Sequence, residues 1–540
     1  MSRPNVVLVL VDDLGYSDLG CYGGEISTPN VDSLAAGGAR LAQFYNTARC
    51  SPSRASLLTG LHPHQTGIGV LTGDDSPVGY KGDLHRGCAT MAEILKGAGY
   101  ATALTGKWHL AADPRNPNDA WPTRRGFDYF YGTLTGCGSY YSPGTLTRGE
   151  ENIGHEANEP GFYYTDAITD EAVAFIERST AAEQPFFLYT AYTAPHWPLH
   201  APEEDVQKYA GRFAAGWDAL RQERFKRQLE LGIVEANAEL SPRDADEPAW
   251  EAVEAKDWNA RRMEVYAAQV SRMDDGIGRI LDTLKRLGQF EDTIVVFLSD
   301  NGASPEEIPH MKREKFVSRT DIFPTHTRTG QPVRLGNGPD IMPGPEDTYS
   351  SYGRPWANLS NTPFRLYKKW THEGGIAAPF IVHWPGGDLE AGQILRQPRQ
   401  LVHVLPTILD ALGVDYPSAI GDRPIPPLEG GSFLDHLRGG GHAPSAADDG
   451  EPTLYWEHCG NGAIRRGLWK LVREYPHQWE LYDLANDPTE LHDIADQNRE
   501  LAEQLLADWS VWADRVGVLP FNRIEDLYVL RGEPAADAAG

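Results

Sequence analysis

Little in this chain points to cross-linking, membrane insertion or nucleic-acid binding. Only five cysteines occur in 540 residues: Cys21, Cys50, Cys88, Cys137 and Cys459. They are scattered, odd in number and without CxxC spacing, which excludes a disulfide framework or a zinc knuckle as the organiser of the fold. No segment approaches the ~20 apolar residues that span a bilayer. The apolar run 6–11 is shorter than a signal-peptide core and passes straight into Asp12 and Asp13, so the cytoplasm is the expected compartment. Positive charge is scarce as well: 49 Lys and Arg face 76 Asp and Glu, a formal net charge of −27. That balance argues against nucleic acid as a partner, which needs a basic face, and against an anionic membrane surface. An acidic protein that handles an anion must gather its cations locally. Isolated Lys, Arg and His in acid-rich surroundings therefore carry weight.

What is present describes a globular protein. Hydrophobic residues make up 41 % of the chain and aromatics 10 %, ordinary values for a packed fold, and the length favours two domains over one core. Several segments share one plan, a short apolar run leading directly into polar residues. Run 6–11 leads to Asp12-Asp13, 100–104 to Gly106-Lys107-Trp108-His109, 186–190 to Pro195-His196, and 293–298 to Asp300-Asn301-Gly302, with 379–383 closing the set. Such continuous runs suit strands buried on both faces. Between them lie helical patterns, clearest in Met263, Tyr266, Val270, Met273, Ile277, Ile280, Leu281, Leu284 and Leu287, and shorter over 167–176. Alternating strands and helices predict an α/β sheet, and ligands gather at the carboxyl ends of its strands. The polar residues just named sit at those ends.

Residues 1–425 read as the main domain. Within it 201–262 is a charged, mainly helical insertion, and the Gly- and Pro-rich stretch 302–362 reads as a pocket wall. Residues 426–540 read as a smaller domain, with short strands over 454–458, 463–466, 468–472 and 479–484 and a helix around 499–512. A Gly- and Ala-rich tract occupies 439–449.

The stretch Cys50-Ser51-Pro52-Ser53-Arg54 to Thr59-Gly60 reads as a short helix with Pro52 in its first turn and Gly60 as its stop. Cys50 then stands at the positive end of that helix, where an anion is stabilised, and Arg54 follows at i+4 on the same face. Taken alone, Cys50 is either a thiol nucleophile or a small buried residue capping a helix.

The string resembles the Cys-x-Pro-x-Arg signature, with its later Thr-Gly, of the type I sulfatases. Three further segments resemble that family in order: Gly99 through Lys107-Trp108-His109, Ala194-Pro195-His196-Trp197-Pro198, and Arg365-Leu366-Tyr367-Lys368 before Glu373-Gly374-Gly375. The cytoplasmic bacterial arylsulfatases resemble it most. The resemblance implies an alkaline-phosphatase-like fold, a large mixed sheet flanked by helices, with a smaller carboxy-terminal domain built on a four-stranded antiparallel sheet and a helix. It also implies that a maturation enzyme oxidises Cys50 to formylglycine, and that Arg54, Lys107, His109, His196 and Lys368 serve the chemistry. Asp12, Asp13, Asp300 and Asn301 form a hard oxygen set without thiolate or imidazole, which selects Ca²⁺, or alternatively Mg²⁺, over zinc; matured Cys50 joins that set in the family.

The activity so implied is hydrolysis of a small-molecule aryl sulfate by S–O cleavage. One hydroxyl of the hydrated aldehyde attacks sulfur, assisted by the metal and Asp300, while Arg54, Lys107 and Lys368 hold the sulfate oxygens. His196 as imidazolium, or Lys368, protonates the leaving group, and His109 deprotonates the second hydroxyl to expel sulfate. The alternative reading is a phosphate or phosphonate ester hydrolase of the same superfamily. One departure is visible: after Ile376 the family commonly carries an arginine, where this chain has Ala377-Ala378-Pro379.

Overall fold

The computed structural model describes residues 3–73, 78–308, 319–439 and 452–523. The apolar run 6–11 forms the strand Asn5–Asp12, buried along its whole length. It lies in the middle of a ten-stranded sheet, parallel to Phe186–Pro195 on one side and Thr293–Ser299 on the other. Ala101–Lys107 and then Tyr129–Thr133 continue the parallel run. The margins turn antiparallel, through Phe380–His383 beyond Thr293–Ser299 and through Leu146–Arg148 beyond Tyr129–Thr133, so the sheet is mixed.

Strand alternation sorts the core into two layers. Val7, Val9 and Val11 pack with Ile168, Phe175, Met263, Val270 and Ile277 of the helices Tyr164–Ala181 and Lys256–Arg286. Val6, Leu8 and Leu10 face the other way, toward Leu57 and Leu58 of Cys50–Thr59, Met91 and Leu95 of Met91–Gly97, and Leu405 and Ile408 of Val404–Leu412. Successive side chains of a strand point to opposite faces, so a run apolar at every position needs helices on both. The periodicity from Met263 to Leu284 is found inside the 31-residue helix Lys256–Arg286, with Leu287 as its C-cap.

The stretch 201–262 is less helical than expected. Helices cover Glu203–Val206 and Gly216–Leu231, but residues 233–249 are irregular before the long helix begins at Lys256. Gly232 ends the helix in the left-handed conformation (φ 67°), and Pro242 and Pro248 follow, which the helical backbone does not accommodate. In 302–362 the described residues are mostly irregular, with the helix Arg354–Ser360 near the end; 309–318 lie outside the described residues.

Leu454–His458, Asn461–Arg466, Trp469–Arg473 and Trp479–Asp483 form a sequential antiparallel sheet, with Leu505 and Trp509 of the helix Arg499–Val516 on Ile464, Leu471 and Leu481. Apart from Gly439, the Gly- and Ala-rich tract 439–449 lies outside the described residues. Phe433, Leu434 and Leu437 pack into the core of the large sheet. The arrangement is the large mixed sheet plus four-stranded sheet anticipated from the sequence. Among the described residues no helix is long and apolar enough to cross a membrane.

Candidate active site

The parallel strands end on one edge, and their exits bring the sequence-expected residues together. Asp12 closes its strand, and Asp13 follows at φ 65°. Asp300 and Asn301 follow Thr293–Ser299, His196 follows Phe186–Pro195, and Lys107 ends Ala101–Lys107. The chain does not continue extended from Lys107 to His109. His109 takes φ 54°, and Trp108 turns into the core, donating its indole N–H to the Ala120 carbonyl at 2.8 Å. His109 swings toward the helix Cys50–Thr59 instead, where its Nδ1 lies 3.5 Å from Cys50 Sγ.

That helix begins at Cys50 and is stopped by Gly60 at φ 67°, whose N–H bonds the Ser56 carbonyl at 2.9 Å. Cys50 thus occupies the first turn, where backbone N–H groups lack intrahelical partners. Arg54, buried completely, sends Nη2 to Asp300 Oδ2 at 2.8 Å and stands 3.7 Å from Asp12 Oδ1. Lys107 Nζ reaches Asp12 Oδ2 at 2.5 Å. Lys368 Nζ reaches Asp13 Oδ2 at 3.0 Å, and His196 Nε2 is 3.3 Å from the same oxygen. Asn301 Nδ2 donates to Asp13 Oδ1 at 2.6 Å, and the Asp13 N–H to Asp300 Oδ1 at 3.2 Å.

A family model described as Sulfatase matches residues 4–414 of the 540. The chain belongs to the sulfatase family. A second model, N-sulphoglucosamine sulphohydrolase, C-terminal, matches 364–508. The arylsulfatase of Klebsiella aerogenes is 34 % identical, over 80 % of this chain and 91 % of that protein. An uncharacterized sulfatase of Schizosaccharomyces pombe is 32 % identical, over 96 % of this chain and 94 % of its own length. In fold the crystal structure of Ps i-CgsB is similar, with a TM-score of 0.67 and 24 % identity across 99 % of each chain. The protein is a sulfuric ester hydrolase with an alkaline-phosphatase-like fold.

The cluster balances three carboxylates, Asp12, Asp13 and Asp300, against three cations, Arg54, Lys107 and Lys368. Burial and the neighbouring Asp12 push Asp300 up to about 7, although Arg54 and Lys107 pull the other way. Asp13 is held below the usual carboxylate range; burial would raise it, but Lys368 and His196 outweigh that. Burial, then Lys107 and Arg54, drive His109 well below the ordinary imidazole value. Burial lowers His196 to about 4 even though Asp13 opposes the shift. Both rings are therefore neutral near pH 7.

The residues fit a hard cation. Asp12 Oδ1 and Asn301 Oδ1 are buried oxygens without a hydrogen-bond partner, which is costly unless something electropositive meets them. Donor atoms of Asp12, Asp13 and His196 lie within 4.8 Å of one another. Asp300 stands beside this group, tied to it through the Asp13 N–H and turned toward Arg54. A mainly oxygen set suits Ca²⁺ or Mg²⁺.

Sequence reasoning missed Glu306, whose Oε2 takes the Trp197 indole N–H at 2.7 Å and stands 3.4 Å from Lys368 Nζ. It lies in an irregular stretch without periodicity, so no local signal separates it from a solvated Glu. Trp197 is half-buried and stacks on Phe323 with ring centroids 5.9 Å apart. The departure at Ala377-Ala378 is a packing matter, since both are buried and Ala378 donates its N–H to the Phe44 carbonyl at 3.1 Å.

Proposed function

We propose that the protein is an arylsulfatase that cleaves the S–O bond of sulfate monoesters at Cys50 matured to formylglycine, beside a divalent cation, Ca²⁺ before Mg²⁺. The observation that carries this reading is the convergence of Cys50, at a helix start, on His109, Arg54, Lys107 and Lys368 beside buried oxygens of Asp12 and Asn301. Asp12, Asp13, Asp300 and Asn301 would hold the cation, with matured Cys50 completing the set. When present, the aldehyde hydrate supplies the nucleophilic hydroxyl and the cation lowers its pKa and polarises the sulfate.

The chain's own residues account for the rest. Arg54, held by Asp300, and Lys107, held by Asp12, would offer N–H donors to sulfate oxygens, and charge held in place before reaction is what stabilises a transition state. Neutral His109 accepts a proton at Nδ1 on the Cys50 side. On the other side, His196 bonds through Nδ1 to the Trp197 carbonyl at 2.7 Å, which orients Nε2 toward Lys368 Nζ at 3.4 Å. With His196 lowered to about 4, charged Lys368 is the better proton source for the departing phenolate, and His196 orients it. The reducing cytoplasm is the compartment that goes with this reading, with a maturation enzyme acting on Cys50 there.

Mass measurement of the Cys50 peptide tests the core of the proposal. Conversion removes roughly 18 Da and abolishes thiol alkylation. A fully converted protein is expected to favour aryl sulfates over aryl phosphates in kcat/KM, whereas the reverse order would refute the assignment.

A further inference from the structure

Glu306 follows Asn301 on the loop leaving the strand Thr293–Ser299. Its Oε2 accepts the Trp197 indole N–H at 2.7 Å, the Ser304 hydroxyl at 3.2 Å and Lys368 Nζ at 3.4 Å, while Oε1 meets Arg49 Nη1 at 3.1 Å. Arg49 directly precedes Cys50. The Trp197 carbonyl bonds His196 Nδ1, and the two rings lie 4.6 Å apart. One carboxylate is thus bonded to Lys368 directly and to His196 through a single tryptophan.

We infer that Glu306 is a positioning residue that fixes Lys368 and His196 at the leaving-group oxygen of the sulfate ester. The inference rests on the sulfatase reading given above and on the leaving-group side assigned there. Lysine has a flexible four-carbon stem, and one carboxylate cannot set its direction. Asp13 at 3.0 Å and Glu306 at 3.4 Å hold the ammonium from two sides. As a stabilising ion pair alone Glu306 would be worth little, because its side chain is 29 % exposed and screened by solvent. Placement of a proton donor is where small displacements cost rate.

The test compares Glu306→Ala, Glu306→Gln and Trp197→Phe, each with Cys50 conversion verified by mass, on 4-nitrophenyl sulfate and on an unactivated phenyl sulfate. Glu306→Ala is expected to lower kcat on the poor leaving group about 10- to 100-fold and on the nitrophenyl ester less than about 3-fold, with KM little changed. Glu306→Gln should recover part of the loss, since an amide oxygen still accepts both N–H donors. Trp197→Phe should reproduce the pattern more weakly, and with Glu306→Gln it carries the comparison if Glu306→Ala does not fold. Equal losses on the two esters, or none, overturn the inference alone. A converted wild type inactive on both overturns the arylsulfatase reading and this inference with it.

Discussion

At the scale of single residues the site is a set of opposed charges, each placed by a different strand end or helix turn. In the mechanism proposed above, Cys50 is the residue whose chemistry cannot be replaced by a look-alike. A serine there has one hydroxyl, and once that oxygen is sulfated nothing internal can push sulfate off. Cys50→Ser is therefore expected to release at most about one leaving group per site and then stall. Rapid-quench counting of product against enzyme checks this, and sustained turnover at the wild-type rate would contradict it. In the proposed reaction His109 and Lys368 would divide the proton work through environment: burial beside Lys107 and Arg54 disfavours charge on one, and on the other Asp13 and Glu306 favour charge against the effect of burial.

At the scale of elements, two neighbouring strands must approach closely to place Lys107. Gly106 precedes it at φ 111°, and a Cβ there would sit 2.0 Å from the Ala191 carbonyl oxygen of Phe186–Pro195. Gly106→Ala would both strain the backbone and wedge the strands apart, at a cost of about 3 kcal/mol. It should also lower kcat/KM by displacing Lys107. Urea unfolding reads the first effect and steady-state kinetics the second; a variant as stable and active as the parent would show that the close approach is dispensable. The helix Cys50–Thr59 shows the same dependence of chemistry on placement, since its buried face against Leu405 and the strand Asn5–Asp12 aims Cys50 at His109.

At the scale of the whole molecule, the carboxy-terminal sheet is tied to the loop carrying Lys368 by a buried ion network. Lys470 Nζ lies 2.7 Å from both Glu373 and Glu490, and Arg365 pairs with Glu480 at 2.8 Å. Lys470→Ala leaves two buried carboxylates unpaired and should cost about 3–5 kcal/mol in denaturant unfolding; a loss below about 1 kcal/mol would mean the network is not what joins the two sheets.

Acid sensitivity is a second whole-molecule property. His200 and His403 are lowered to about 4 and His62 to about 3, each chiefly by burial. Between pH 6.5 and about 4 the unfolded chain binds these protons and the folded one does not. Their contribution is fully present above about 6.5 and is lost as pH falls toward 4, by up to about 3 kcal/mol for His200. Asp274, raised to about 6 by burial, acts in the opposite direction, so the clean comparison is His200→Gln. His200 meets the Thr348 carbonyl through Nε2 at 2.6 Å and accepts the Tyr140 N–H at Nδ1. The variant should flatten the stability slope across that window, and an unchanged slope would contradict the assignment.

The sequence by itself determined the layered sheet, because an apolar run buried on both faces needs no distant information to be read, and strand ends then name Asp12, Lys107, His196 and Asp300 as neighbours. It determined the Cys50 helix through Pro52 and Gly60. The short strands Ala39–Leu41 and Tyr129–Thr133 were not legible, since few residues and an interrupting Arg40 or Gly132 leave no periodicity. Tertiary structure alone decided the left-handed turn that brings His109 to Cys50, the orientation of Asp300 toward Arg54, and the place of Glu306. Each depends on what other segments deliver to the same point, and a one-dimensional pattern carries period and local conformation but not that convergence.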